Sequence, residues 1–110
     1  MTTDTTLARD AEGYLVDPED WDETVAEGLA AEEGIALGDA YWPLLHFMRA
    51  YWTESHTAPD VRHVVDYMVK ELGLDKKHAK ERLFKLFPYG YVKQACKIAG
   101  MKRPRVWSTG

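Results

Sequence analysis

Apolar side chains recur along this chain at intervals of three and four residues, in blocks separated by proline, glycine and aspartate, and that spacing predicts helices. Asp17-Pro18-Glu19-Asp20-Trp21 reads as a helix start. Asp17 can cap free amides, Pro18 has no amide to lose at the first helical position, and the acids complement the positive end of the helix dipole. Trp21, Val25 and Leu29 then form one stripe, and Gly34 stands where a left-handed stop is wanted, so the first helix is expected over about 18–33. The second, from Ala40 to about Glu54, carries Trp42, Leu44, Leu45, Phe47, Met48, Tyr51 and Trp52 around most of its circumference, with Pro43 tolerated in its first turn. A helix apolar nearly all round is central to a fold, and the helical spacing of these aromatics favours core packing over a cofactor box.

After a loop at Ser55-His56-Thr57-Ala58-Pro59, a third helix over about 60–72 should bury Val61, Val64, Val65, Met68 and Leu72 and end at Gly73. Asp75 caps a fourth, in which Ala79, Leu83 and Leu86 line one face while Lys76, Lys77, Lys80 and Lys85 lie largely elsewhere. Pro88 and Gly90 break it. A fifth helix, about 91–99, puts Val92, Ala95, Cys96 and Ala99 on one stripe and closes at Gly100. Upstream, Asp10-Ala11-Glu12-Gly13 is a turn signal before the β-prone Tyr14-Leu15-Val16, so a small hairpin lying on the helices is plausible. The sum is a single domain over residues 1–110: an all-α orthogonal five-helix bundle with an N-terminal hairpin, residues 1–9 disordered and residues 101–110 a mobile C-terminal arm.

Charge alters this picture. Residues 1–58 carry 13 acids against 2 bases, a balance of −11, and residues 59–110 carry 5 acids against 12 bases, a balance of +7. Either two solvated faces attract one another within the fold, or a basic side is offered to an acidic partner or a phosphate backbone. The single cysteine, Cys96, cannot form an internal disulfide and fits a reducing compartment. No apolar run approaches a membrane span and the N-terminus lacks a signal-peptide pattern, so the expected location is the cytoplasm, with no membrane partner.

Candidate chemistry is sparse. His46, His56, His63, His78 and Cys96 show no compact ligand spacing, so neither a metal nor a cofactor is expected, and no phosphate loop, nucleophile elbow or carboxylate pair is present. The third and fourth helices have the length of a helix-turn-helix, and Lys76, Lys77 and Lys80 on helix 76–86 are candidate nucleic-acid contacts. Against that reading, the fourth helix starts without the Asn, Gln or Arg set that reads base edges. Cys96 is either a small buried hydrophobe or a reactive thiol whose thiolate Lys93 and Lys97 would favour.

The string Leu86-Phe87-Pro88-Tyr89-Gly90, followed by Lys93-Gln94-Ala95-Cys96-Lys97-Ile98-Ala99-Gly100, resembles the end of the DsrC/TusE family. These are small sulfur-carrier proteins associated with dissimilatory sulfite reductase and with tRNA thiolation. Gly13-Tyr14-Leu15, Pro18-Glu19-Asp20-Trp21, Glu33-Gly34-Ile35, Trp42 and Arg49-Ala50-Tyr51 extend the resemblance over about residues 10–107. It implies a helical bundle with an N-terminal hairpin and a mobile arm. Full carriers of the family have two cysteines, one at the position of Cys96 and one, penultimate in the chain, eleven residues later, and the latter accepts sulfur inside a partner. Here the position eleven residues on holds Trp107, and the family's Pro-Lys-Pro turn is Lys102-Arg103-Pro104. The tRNA-thiolation branch keeps only the later thiol, so this sequence lacks the one common to both branches.

One sulfur atom cannot form an intramolecular disulfide, so the resemblance implies a binding role: an accessory or regulatory factor, not itself an enzyme, for a sulfite reductase or sulfur-relay complex. Lys93, Lys97, Lys102, Arg103, Arg105 and Trp107 would contact that partner, with Trp107 as an aromatic anchor among cations. The alternatives are a single-thiol carrier forming a persulfide or mixed disulfide at Cys96, and a DNA-binding regulator using helix 76–86. A monomer or weak dimer is expected.

Overall fold

The structure, a computed structural model, describes residues 8–102. A 3-10 turn at Pro18–Asp20 precedes five helical segments: α1 (Glu23–Glu32), α2 (Trp42–Ser55), α3 (Val61–Leu72), α4 (Lys76–Leu86) and α5 (Tyr91–Cys96). The expected helical architecture is therefore present, and the differences lie at particular residues.

The first helix starts later than the pattern predicts. Asp17 accepts from the Glu19 amide and starts only the 3-10 turn, after which Trp21 is extended (φ −81°, ψ 140°). Asp22 then caps α1 by accepting from the Val25 amide at 2.8 Å. Trp21 thus sits off the helix, and its indole N–H donates to the carbonyl of Ile98 at 2.8 Å, a tertiary contact that overrides the local propensity to continue the helix. At the other end, the Gly34 amide donates to Ala31 and the Ile35 amide to Ala30. This paired closure needs the left-handed backbone of Gly34 (φ 75°).

The core is drawn from every helix: Ala26, Leu29 and Ala30 of α1, Leu44, Leu45 and Met48 of α2, Val64, Val65 and Met68 of α3, Ala79 and Leu83 of α4, and Phe87, Tyr91, Ala95, Cys96, Ile98 and Ala99 at the end of the chain. Each of the larger aliphatic groups contributes about 1.5–3 kcal/mol through burial. Phe47 stacks on Tyr67 with ring centroids 4.7 Å apart, joining α2 to α3. Leu72, expected in the core, is 38% exposed, because it is the last residue of α3, where the chain turns at Gly73.

The expected hairpin is reduced to one antiparallel bridge between Arg9 and Leu15, with no strand among the described residues. The Asp10 carboxylate accepts from the amides of Glu12 and Tyr14 and holds the turn, which buries Tyr14 and Leu15 against the helices. Of the nine residues expected to be disordered, 1–7 lie outside the described residues; Ala8 accepts from the Val16 amide, and Arg9 pairs with Glu32. Among the described residues, no helix is long and apolar enough to cross a membrane.

Candidate functional site

The single cysteine of the sequence lies at the end of α5. Pro88 and Gly90 stop α4, and the backbone resumes at Tyr91 as a π-helical turn through Cys96, not as the α-helix expected over 91–99. The wider winding accompanies a fully buried polar residue, Gln94. Its side-chain oxygen accepts from the Tyr89 amide at 3.0 Å, and its nitrogen donates to the Glu33 carboxylate at 3.2 Å. Lys97 donates to the other oxygen of Glu33 at 3.1 Å and lies 5.4 Å from the centroid of the Tyr14 ring. Glu33, at the end of α1, therefore ties α5 to the rest of the bundle, and both members of its ion pair are mostly shielded from water.

Cys96 faces inward with no exposed surface. Burial pushes its thiol up to about 12, only partly offset by a hydrogen bond with the Tyr91 hydroxyl, so at neutral pH the sulfur is protonated. The Tyr91 hydroxyl, itself raised mainly by burial, donates to the carbonyl of Pro59. The cations expected to favour the thiolate are disposed otherwise: Lys93 is exposed and Lys97 is turned to Glu33 and Tyr14. Ala95 and Ala99 share the burial of Cys96, while Val92, expected on the same stripe, has its side chain outside the described set.

The root of the arm is held by an interlock. Arg49, on α2, donates to the carbonyl of Ala99 at 3.1 Å and to that of Pro18 at 2.8 Å. Its guanidinium lies 4.7 Å from the ring centroid of Trp21 and 5.3 Å from that of Trp52. Burial lowers its pKa from the ordinary value, with Glu19 pulling the other way, and an arginine stays charged through such a shift. Gly100 adopts φ 77°, and a methyl group built on it would stand 2.4 Å from Cδ1 of Trp21. Met101, placed with the arm by the sequence reading, is buried, and its amide donates to Cys96. Lys102, the last described residue, is exposed. Arg103, Arg105 and Trp107 lie outside the described residues.

The other candidates are apart from this site. Lys76, Lys77 and Lys80 are exposed on α4. The histidines are dispersed: His46 lies 3.2 Å from Glu23, His63 pairs with Asp60, His78 with Asp75, and His56 packs against Trp52. Among the described residues, no group of three or more His, Cys, Asp or Glu side chains could hold a metal ion. The sequence pattern placed Trp21 on the stripe of the first helix and not at this site, and it gave no role here to Glu33, Arg49, Tyr91 or Gln94. One signal was available for Arg49: a lone cation on a helix otherwise apolar nearly all round has to find acceptors inside the fold.

The family model described as "DsrC like protein" matches residues 1–106. The chain is 43% identical over 100 residues to the sulfurtransferase TusE of Sodalis glossinidius (strain morsitans), covering 91% of this chain and 92% of that protein. It is 43% identical over 99 residues to the TusE of Pectobacterium atrosepticum, covering 90% of each. Among solved structures it is similar to the oxidised gamma-subunit of the dissimilatory sulfite reductase (DsrC) from Archaeoglobus fulgidus, with TM-score 0.79, 35% identity and coverage of 93% and 92% of the two chains. It is equally similar to DsrC of Allochromatium vinosum, with TM-score 0.79, 36% identity and coverage of 93% and 90%.

Proposed function

The chain belongs to the DsrC-like family, which includes sulfur-relay proteins, and from that membership we propose that it docks on a protein partner of sulfur metabolism as an accessory or regulatory factor, without carrying sulfur on Cys96. The observation that carries this reading is the state of the one thiol in the sequence, fully buried and pushed up to about 12. A sulfur acceptor has to attack as a thiolate and be reached by the donor, and burial opposes both requirements. The arm beyond Lys102 brings Arg103, Arg105 and Trp107, two cations and an aromatic of the type that anchors binding hot spots. The interlock at Ala99 and Gly100 supports the same reading, since a fixed root gives a short binding segment a defined point of departure.

The test is a binding measurement against the sulfite reductase or sulfur-relay complex of the same organism. Trp107→Ala and a form ending at Lys102 should each bind at least roughly tenfold more weakly, with helicity and melting unchanged. Binding equal to that of the intact chain would refute the docking role of the arm.

The curated relatives are named sulfurtransferases, which supports a second reading, in which this chain too carries sulfur; Cys96, the one thiol in the sequence, would then have to hold it. Its thiolate would attack the outer sulfur of a donor persulfide, forming the new S–S bond as the donor leaves as a thiolate. This requires α5 to open. A mass gain of one sulfur at Cys96 after incubation of the folded protein with such a donor would favour it over the accessory role.

A further inference from the structure

The cations among the described residues fall into two groups. Arg9 pairs with Glu32, Arg62 with Asp60 and Lys97 with Glu33, and Arg49 is bonded to two carbonyls. Lys70, Lys93 and Lys102 are exposed without an ion pair among the described residues, and so are all five cations of α4, Lys76, Lys77, Lys80, Arg82 and Lys85, which stand together on one helix. The acidic half of the sequence therefore does not neutralise this helix from within the fold. On the same helix Phe84 is 44% exposed, although Ala79 and Leu83 give α4 a buried face of its own. Phe84 lies one turn after Lys80 and two turns after Lys77, so the three side chains stand on one face.

We propose that this face of α4 is a second docking surface, separate from Cys96 and from the arm, for an acidic segment of a partner protein that places an apolar side chain against Phe84. The charge selects carboxylates. The ring selects a protein: an exposed aromatic flanked by charges is the anchor-and-rim arrangement of protein interfaces, and a phosphate backbone offers it nothing to pack against. Glu81, one turn from both Lys77 and Lys85, would repel a phosphate backbone, whereas a protein partner can meet it with a cation. The start of the helix also lacks side chains that read base edges, and His78 there is occupied by Asp75 at 2.8 Å.

The experiment replaces Phe84 with the photo-crosslinking residue p-benzoylphenylalanine in the full chain, irradiates cells of the native host, and maps the captured peptide by mass spectrometry. The expected result is capture of a protein segment of net negative charge. That capture should fall roughly tenfold when Lys77→Glu and Lys80→Glu are added, and persist in Trp107→Ala. Both lysines are exposed and unpaired, so circular dichroism and melting of the variant should match the parent. Capture of nucleic acid, of a second copy of this chain or of a segment without net negative charge would overturn the proposal. So would no capture, capture insensitive to the charge reversal, or capture lost in Trp107→Ala, which would assign the contact to the arm.

Discussion

At Cys96 burial and nearby charge compete, and burial wins. A cation a few ångströms from an exposed thiolate stabilises it, but Lys97 spends its charge on Glu33 and the sulfur has no water around it. Raising the thiol from its ordinary 9.0 to about 12 lowers the thiolate fraction at neutral pH roughly a thousandfold. Native protein at pH 7.5 should therefore react with iodoacetamide at least roughly a thousand times more slowly than the same protein unfolded in guanidinium, and equal rates would contradict the buried assignment. The sign of the pH dependence follows from the raised value. Below pH 9 the thiol is protonated in both states and the fold keeps the full contribution. Above it only the unfolded chain ionises, so stability declines as pH rises, and the decline ends once pH passes about 12. Between pH 9 and 10 the slope from Cys96 rises toward about 1.4 kcal/mol per unit, and Tyr41 and Tyr91, whose folded values are also raised, add to the decline as their unfolded phenols begin to ionise. Chemical denaturation of the parent and of Cys96→Ala across that interval isolates the Cys96 slope, since the alanine variant lacks this component.

At the scale of elements, what is local was legible in the sequence and what is joined across the chain was not. The spans of α2, α3 and α4 follow from apolar periodicity and from the caps Asp60 and Asp75, all of them contained within the helix they define. The start of α1 was misread because its outcome depends on Ile98, 77 residues from Trp21. Likewise, the π-helical winding of α5 accompanies Gln94 reaching Glu33, which no local pattern announces. The candidate site was half legible. Cys96 on an apolar stripe pointed to burial, while the roles of Arg49 and Gly100 emerge only when α2, the Pro18–Asp20 turn and the arm root are assembled. That interlock is directly testable. Gly100→Ala combines a left-handed backbone, which costs an alanine about 1–2 kcal/mol, with a methyl overlapping Trp21, so it should lose roughly 2–4 kcal/mol in total. Arg49→Lys should lose about 2 kcal/mol or more, since one ammonium cannot hold two carbonyls while lying between two indoles. Urea denaturation of each variant reads both losses, and a loss below about 0.5 kcal/mol in either would show that the interlock is not part of the fold's stability.

At the scale of the whole molecule, the opposed charge balances of −11 and +7 raise the question of whether the two halves hold each other. Among the described residues only the Glu33–Lys97 pair joins an acid of the first half to a base of the second, whereas α4 keeps its five cations to itself. A fold glued by its charge asymmetry would weaken on reversal of any part of the basic half. A fold in which one shielded pair carries the contact would weaken only there. Exposed charges separated by more than about 8 Å are largely screened at physiological salt, so the reversal Lys77→Glu with Lys80→Glu should change stability by less than about 0.5 kcal/mol, in either direction. Glu33→Ala should behave oppositely. It leaves the buried Gln94 amide without its acceptor and Lys97 without its partner, at a cost of about 2–3 kcal/mol. Denaturant melts of the two variants in 0.15 M salt decide between these pictures, because the charge change is larger in the first and the expected loss larger in the second. If the α4 reversal proved the more damaging, its cations would be engaged within the fold and unavailable to a partner.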